Sequence, residues 1–297
     1  TNAALIVNGP PQITAQPQGG TLPAGTNYSF TVAAIGPTPF SYRWRLFSTN
    51  LSSPNTSTLS LTNLQAANAG DYTVVVSNAY GFATSQVAVL DVTPAAPLIT
   101  LQPQNITAPA GTNVSFIVAA SGTEPFNYQW LWFGTNLPGR TTATLMLSNI
   151  QSFNAGDYAV LVGNSVATNT SNLATLTVTP ALPTFLVQPQ NVTATLGAEI
   201  SFNASAVGTE PIDYHWQFNG GDIPGAFGNS YSFTNAQYTN AGSFTAAATT
   251  TQGAATSAVA TLTVTPPPGW LWARTSGGAN LDGANGVATD SQGNVCI

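Results

Sequence analysis

The sequence contains no lysine, and its four cationic side chains are all arginine. Charged residues make up 5% of the 297 residues, whereas about a quarter of an average soluble domain is charged. The formal net charge is −6, and no run of basic residues is available to bind phosphate backbones or anionic lipid. We therefore exclude nucleic acid from the predicted partners.

Cysteine, histidine and long apolar runs are also scarce. Cys296 is the single cysteine, so an intrachain disulfide and a Cys-rich metal site are excluded. His215 is the single histidine, which leaves neither a Cys/His dyad nor a His-rich zinc site. No apolar run approaches the roughly 20 residues of a membrane helix. We predict no metal, no cofactor, no membrane insertion and no enzymatic activity within these residues.

The chain contains three copies of one unit. The segments QPQGGTLPAGTNYSFTVAAIGPTPFSYRW, QPQNITAPAGTNVSFIVAASGTEPFNYQW and QPQNVTATLGAEISFNASAVGTEPIDYHW recur with a period of 86 residues. The tryptophans that end them are Trp44, Trp130 and Trp216, and the linkers VTPAAP, VTPALP and VTPPPG repeat with the same period. A repeat of this length predicts three tandem folding units.

Apolar residues alternate with polar ones inside each copy, as in NYSFTVAAI and DYAVLVGN. Short alternating runs separated by Gly, Pro, Asn and Thr are typical of strands in an all-β sandwich. The segments NLQAANAG and NIQSFNAG, which precede the sixth strand, predict a short turn or a single helical turn. The fold class predicted is therefore all-β.

Each copy resembles the bacterial immunoglobulin-like domain of the I-set type, without its cysteines. The residues that carry this resemblance are the tryptophan of strand C, the Asp-Tyr pair of strand F in the first two copies (Asp71-Tyr72 and Asp157-Tyr158) and a glycine after strand B. The resemblance implies three immunoglobulin-like β-sandwiches joined by short Pro-containing linkers. It also implies that apolar pairs replace the disulfide, giving this structural core: Trp44, Trp130, Trp216, Val32, Val74, Val118, Val160, Ala204, Ala246, Tyr72 and Tyr158.

The third copy has small residues at both bridge positions, Ala204 and Ala246, and Phe244 in place of the strand F tyrosine. A missing disulfide lowers the free energy of unfolding by about 2–4 kcal/mol, and burial of a large apolar side chain raises it by about 1.5–3 kcal/mol. Because a buried alanine contributes less than a buried valine, we predict that the third copy is the least stable.

The two ends of the chain differ from the repeats. AALIV resembles the last strand of each copy, so residues 1–8 are predicted to be the last strand of a preceding sandwich and a possible site of strand-mediated self-association. Residues 267–297 resemble the start of a β-propeller repeat of the SBBP or NHL-like kind, a truncated tail. The sequence thus predicts a fragment of a longer chain with these domains: 1–8, 9–94, 95–180, 181–266 and 267–297.

Few side chains are candidates for ligand contact. Trp132 and Phe133 continue strand C and could stack on a sugar ring if exposed. Trp132 shares the face of Trp130, and the other copies have Leu46 and Phe218 there, which favours a place in the core. His215 corresponds to Arg43 and Gln129 in the other copies. Three unrelated side chains at one position indicate a solvent face.

The predicted function is non-enzymatic. Tandem modules of this kind would serve as stalk, adhesion or protein-interaction repeats of a secreted or cell-surface protein. The alternative is that they are carbohydrate-binding or spacer modules of a larger secreted enzyme. The predicted partner is a cell-surface or matrix protein or a polysaccharide, and the sequence names no particular ligand.

Overall fold

The computed structural model describes residues 8–53, 55–267, 271–272, 288–289 and 295–296. Over this part the chain is all-β, with three single turns of 3-10 helix, and it forms three sandwiches as predicted. No helix in the described ranges is both long enough and apolar enough to span a membrane.

The first sandwich contains ten strands. They are β1 (Gln12–Ala15), β2 (Gly20–Pro23), β3 (Tyr28–Thr31), β4 (Ala33–Ile35), β5 (Ser41–Leu46), β6 (Thr49–Asn50), β7 (Thr58–Leu61), β8 (Gly70–Asn78), β9 (Gly81–Thr84) and β10 (Ala88–Thr93). The 3-10 turn Ala66–Asn68 precedes β8, where a short turn or a single helical turn was predicted.

The larger sheet of this sandwich has the strand order β2-β10-β8-β5-β6, and β9 also pairs with β8. Strands β10 and β2 run parallel, and the other pairs of this sheet are antiparallel. The opposite layer consists of the pairs β1-β4 and β3-β7. Period-two alternation in β5 and β8 directs one set of side chains toward that layer and the other set outward.

The second and third sandwiches repeat this order. The second is built from β11 (Leu98–Leu101), β12 (Ile106–Pro109), β13 (Val114–Ile117), β14 (Ala119–Ser121), β15 (Asn127–Trp132), β16 (Thr135–Asn136), β17 (Thr144–Leu147), the 3-10 turn Ser152–Asn154, β18 (Gly156–Gly163), β19 (Thr168–Thr170) and β20 (Ala174–Thr179). The third is built from β21 (Thr184–Val187), β22 (Val192–Thr195), β23 (Ile200–Asn203), β24 (Ser205–Val207), β25 (Asp213–Phe218), β26 (Gly221–Phe227), β27 (Ser230–Phe233), the 3-10 turn Tyr238–Asn240, β28 (Gly242–Thr250), β29 (Gly253–Thr256) and β30 (Ala260–Thr265).

A tryptophan lies at the centre of each core. Trp44 is fully buried and pairs across the sheet with Val74, at the position where the resemblance places a cysteine. Its indole Nε1 donates to the carbonyl of Thr56 at 3.1 Å, so the buried N–H is satisfied. Phe30 stacks on Tyr72 with ring centroids 4.5 Å apart. Aromatic rings and the valines at the bridge positions therefore pack into one core cluster without a disulfide.

The same three kinds of contact recur around the other two tryptophans. Trp130 lies opposite Val160, and Trp216 lies opposite Ala246. In the third core, Phe244 stacks on Phe202 at 4.6 Å and also contacts Tyr231. These aromatic contacts compensate in part for the small bridge residues, and the lower stability of the third copy stays a prediction.

By contacts between Cα atoms the chain divides into two compact units. One contains the first sandwich and most of the second, over residues 1–106, 115–146 and 156–176. The other contains the third sandwich and the remaining segments of the second, over residues 107–114, 147–155 and 177–297. Each unit includes one polar junction between successive sandwiches.

The junction in the first unit is formed by two side chains that precede the 3-10 turn of the first sandwich. Gln65 donates through Nε2 to the carbonyl of Gly122 at 2.9 Å and accepts from the amide of Glu124 at 3.0 Å. Asn63 donates through Nδ2 to the Glu124 carboxylate at 2.9 Å. Gly25 lies against this contact, and a Cβ added there would be 2.2 Å from the Gly122 nitrogen. Glycine is therefore required at position 25 for close approach.

The junction in the second unit has the same chemistry. Gln151 is 3% exposed, donates to the carbonyl of Gly208 at 3.0 Å and accepts from the amide of Glu210 at 3.0 Å. Asn149 donates to the Glu210 carboxylate at 2.9 Å. Gly111 takes the place of Gly25, and a Cβ there would be 2.5 Å from the Gly208 nitrogen. Polar side chains, together with the Pro-containing linkers, thus join each pair of neighbours.

Two predictions concern residues outside those described. Residues 1–7, predicted as the last strand of a preceding sandwich and a self-association site, are among them. So is most of the tail predicted as a propeller repeat, where the described pieces are β31 (Leu271–Trp272), β32 (Ala288–Thr289) and β33 (Val295–Cys296). These three pair antiparallel in the order β31-β32-β33.

Candidate ligand-binding groove

The outward face of β5 carries two of the four arginines. Because Trp44 points into the core, its neighbours Arg43 and Arg45 point to the opposite side of the sheet. Arg43 pairs across β8 with Val75, and Ser41 pairs with Ser77 in the next row. These residues form one wall of an open groove of about 650 Å³.

The other walls of the groove come from two other parts of the chain. Residues 50–53 and 55 supply amide and hydroxyl side chains, and β9 supplies Phe82, which is 69% exposed. Phe82 lies opposite Ser77 in the sheet register. Asn55 accepts a hydrogen bond from the amide of Tyr42, which anchors the segment to β5. None of the described lining residues is acidic.

The two guanidinium groups differ in their local partners. Arg45 donates through Nε to Oδ1 of Asn50 at 3.0 Å, which fixes the plane of the guanidinium beside the groove. Neither arginine forms an ion pair within the described ranges. An arginine offers five donors in a planar fork, so each guanidinium group can bind an oxyanion from outside the chain.

In the second sandwich the two equivalent positions on strand C are uncharged. Gln129 stands where Arg43 stands in the first copy, and its Nε2 donates to the carbonyls of Trp130 and Leu137, both at 2.8 Å. Leu131 replaces Arg45. This face has no cation at either position, and its amide is held by its own backbone.

The corresponding face of the third sandwich combines a histidine with a carboxylate. His215 Nε2 is 3.6 Å from Oδ1 of Asp222, an ion pair only when the imidazole is protonated. Gln217 donates to the same carboxylate oxygen at 2.9 Å. A cavity of about 300 Å³ lies beside them and is lined also by Phe227. One position on a repeated scaffold therefore carries three different chemistries.

The predicted ligand-contact residues lie away from these faces. Trp132 is half-buried, and its Nε1 is buried with no hydrogen-bond partner within the described part of the chain. Phe133 is 62% exposed and lies 5.1 Å from the Trp132 ring between centroids. Trp132 thus packs with its inner side against the chain, and Phe133 presents a ring to solvent. A role for either in ligand contact stays a prediction.

The eleven residues predicted for the structural core are all buried. Each is at most 5% exposed, and the set is Val32, Trp44, Tyr72, Val74, Val118, Trp130, Tyr158, Val160, Ala204, Trp216 and Ala246. The three tryptophans donate through their indoles to backbone carbonyls, and the tyrosines carry buried hydroxyls. The Tyr72 hydroxyl donates to the carbonyl of Asn68 at 2.8 Å, and burial raises the pKa of the hydroxyls of both Tyr72 and Tyr158.

No group of three or more His, Cys, Asp or Glu side chains is close enough to hold a metal ion in the described ranges. Sequence reasoning placed Arg43 on a solvent face but missed the groove and both junctions. The available signal for the junctions was the recurrence of Asn-x-Gln and Gly-Thr-Glu-Pro with the repeat period. No local pattern shows that these two motifs meet in space.

Comparison with protein families bears on the nature of the sandwiches. A family model described as "Immunoglobulin domain" matches residues 10–78, which lie in the first sandwich. The three sandwiches are immunoglobulin-like. The other two copies have the same strand order and the same core tryptophan as the matched one.

Curated relatives contain stretches similar to these immunoglobulin-like domains. The Peroxidasin homolog of Homo sapiens is 27% identical over 230 residues, which cover 72% of this chain and 15% of that protein. The Basement membrane-specific heparan sulfate proteoglycan core protein of Mus musculus is 24% identical over 74% of this chain and 6% of that protein. Endoglucanase C of Cellulomonas fimi is 28% identical over 57% of this chain and 16% of that protein. The chain therefore spans less than a fifth of the length of each relative.

Solved structures with tandem immunoglobulin domains also match. Extracellular domains 3–5 of Drosophila OTK are 18% identical and cover 89% of this chain and 98% of that structure, with a TM-score of 0.40. The N-terminal eight immunoglobulin domains of Down Syndrome Cell Adhesion Molecule are 19% identical over 88% of this chain and 42% of that structure, with a TM-score of 0.33.

Proposed function

We propose that the chain is part of a non-enzymatic extracellular or cell-surface protein whose immunoglobulin-like domains act as stalk, adhesion or protein-interaction repeats. The partner would be a cell-surface or matrix protein or a polysaccharide. The domain boundaries 9–94, 95–180 and 181–266 are part of this proposal.

The supporting observation is the contrast between the inside and the outer face of the repeats. The core tryptophan and the junction side chains recur from copy to copy, whereas the outward position on strand C is Arg43, Gln129 or His215 in turn. Core residues that repeat preserve packing, while outer faces that differ allow each domain a different contact. This arrangement suits a series of recognition surfaces better than a single reaction centre.

The test is a binding panel with the whole chain of 297 residues. The soluble protein is incubated with immobilised matrix proteins, insoluble polysaccharides and whole cells, with heat-unfolded protein as the control. We expect saturable binding to at least one surface by the folded chain alone. Equal retention of folded and unfolded protein, or no retention on any surface, would contradict an adhesive role.

A second function is favoured by the match to Endoglucanase C. The domains would then be carbohydrate-binding or spacer modules of a larger secreted enzyme, which agrees with the small fraction of each relative that the chain covers. In that case, removing these domains from the full-length protein should lower its turnover of an insoluble substrate and leave turnover of a soluble analogue unchanged. An adhesive protein would show no turnover in either assay.

A further inference from the structure

The groove of the first domain concentrates positive charge in a chain that has little of it. Arg43 and Arg45 are half of all the cations in a chain of net charge −6. They lie two residues apart on one strand, so their Cα atoms are about 7 Å apart on the same face. With no acidic residue among the described lining, the two guanidinium heads are free to pair with external oxyanions.

Arginine is the side chain best suited to a carboxylate. Its planar fork matches the two carboxylate oxygens, and such charge-assisted pairs are stronger than neutral hydrogen bonds. The bond from Arg45 Nε to Asn50 leaves its terminal nitrogens available. Two arginines in adjacent rows can therefore contact one carboxylate together or two carboxylates along a polymer.

The rest of the groove fits a saccharide. Ser41, Ser52 and Ser77 supply hydroxyl groups that can donate to and accept from sugar hydroxyls. Phe82 presents an exposed ring one row beyond Arg43, and an aromatic face can pack on the apolar side of a sugar ring. A purely electrostatic site would not need this aromatic surface.

Two other classes of acidic ligand fit less well. A nucleic acid carries a phosphate on every residue and would need more counter-charges than two, on a chain that is negative overall. An acidic peptide that adds to a sheet pairs with a strand edge, whereas these side chains project from the face of the sheet.

We propose that the groove lined by Arg43, Arg45 and Phe82 binds a polysaccharide that bears carboxylates, with the guanidinium groups on the carboxylates and the phenyl ring on a sugar. This inference rests on the proposed function and gives that function a ligand class. The second domain supplies the natural comparison, because it has Gln129, Leu131 and Thr168 at the equivalent positions.

The experiment measures binding of the full chain to polygalacturonate by titration calorimetry at low and high salt. Highly methyl-esterified polygalacturonate is the matched ligand, since it has the same backbone without the charge. The variant R43Q/R45L replaces both arginines with the residues of the second domain. The variant R140Q removes an exposed arginine outside the groove and serves as its control.

We expect saturable binding of polygalacturonate that weakens with salt, because charges at the surface are screened. The esterified polymer should bind at least tenfold more weakly. R43Q/R45L should lose at least tenfold in affinity with an unchanged unfolding temperature, and R140Q should bind like the wild type. F82T should weaken binding of the sugar polymer at high salt as well, since stacking does not depend on charge.

Equal binding by R43Q/R45L and wild type would overturn the assignment to this groove. Binding of poly-glutamate or polyphosphate with the same arginine dependence, but without any effect of F82T, would show a general oxyanion site and overturn the saccharide assignment. If polygalacturonate fails to bind while other surfaces of the panel are bound, this inference fails and the proposed function stands. Failure of every ligand and surface would contradict both.

Discussion

The glycines at the domain junctions allow one prediction to be worked out with an internal control. Gly111 and Gly197 occupy equivalent positions in the second and third domains, with φ of +88° and +87°. Both amides donate to a backbone carbonyl at 2.8 Å, from Gly111 to Ile150 and from Gly197 to Ala236. An alanine at either position meets the same backbone strain, on the order of 1–2 kcal/mol.

The two positions differ in what surrounds an added methyl group. At Gly111 a Cβ would lie 2.5 Å from the Gly208 nitrogen and 2.9 Å from Cβ of Val207, which is far inside contact distance. At Gly197 nothing described lies within 4 Å. Gly111→Ala should therefore separate the second and third domains, whereas Gly197→Ala should cost only the backbone strain.

Separation would break the three side-chain hydrogen bonds of the second junction. Two are neutral contacts of Gln151, and the third joins Asn149 to the exposed Glu210 carboxylate. At about 0.5–1.5 kcal/mol for each neutral bond, and a similar value for the exposed charged one after solvent screening, the junction contributes on the order of 2–4 kcal/mol. A loss of this size would raise the equilibrium constant for opening of the junction at least tenfold.

The assay is amide hydrogen exchange on the full chain. The amide of Glu210 bonds to Oε1 of Gln151 across the junction, so it should exchange at least ten times faster in Gly111→Ala than in the wild type. In Gly197→Ala it should exchange at the wild-type rate, although both variants lose similar backbone stability. Glu124, whose amide bonds to Gln65 in the other junction, is the reference within each sample.

The reasoning would be refuted if Gly197→Ala accelerated exchange of the Glu210 amide as much as Gly111→Ala did. It would also be refuted if Glu210 stayed protected in Gly111→Ala, because the clash would then be absorbed without opening the junction.

Three further outcomes are expected. Trp132→Phe removes a buried N–H that has no partner among the described residues. Removal of this unpaired donor should offset the lost apolar area, so the unfolding free energy in denaturant should change by less than about 1 kcal/mol. A loss above about 3 kcal/mol would show that the indole N–H has a hydrogen-bond partner. Ser171→Ala removes a 2.9 Å bond to the buried amide of Val160 and should cost about 1–3 kcal/mol, while Ser115→Ala at an exposed position should cost under about 0.5 kcal/mol in the same measurement. Because burial raises the pKa of Tyr72, the stability that its neutral hydroxyl supports is present below about pH 10 and is lost as the pH rises further. Tyr72→Phe should cost about 1 kcal/mol at neutral pH and should reduce the fall in stability between pH 10 and 11. An identical fall in the variant would show that Tyr72 does not cause this pH dependence.

Much of the architecture could be predicted because it depends on short-range patterns. Alternation assigns Trp44 to the inner face of its strand and both of its neighbours to the outer face, and the 86-residue period identifies three copies. The apolar residues at the bridge positions, such as Val74, could be placed in the core from the resemblance alone. These assignments need only the identity of residues close together in the sequence.

The junctions and the groove could not be predicted in the same way. Gln65 bonds to a carbonyl 57 residues away, and no local rule indicates that Asn-x-Gln of one domain meets Gly-Thr-Glu-Pro of the next. Likewise, Phe82 lies two strands away from Arg43 across the sheet. Their proximity depends on β8 lying between β5 and β9.

The sequence by itself therefore determined the class of the fold, the number of its copies and the inward or outward direction of each strand residue. All of these follow from the pleat of the strand and from repetition. Only the tertiary structure decided which outward side chains share a surface, because that depends on strand order and on the loops between strands. The tertiary structure also decided that the Trp132 indole has no hydrogen-bond partner in the described part of the chain, whereas Trp130, which points the same way, donates to the carbonyl of Thr142.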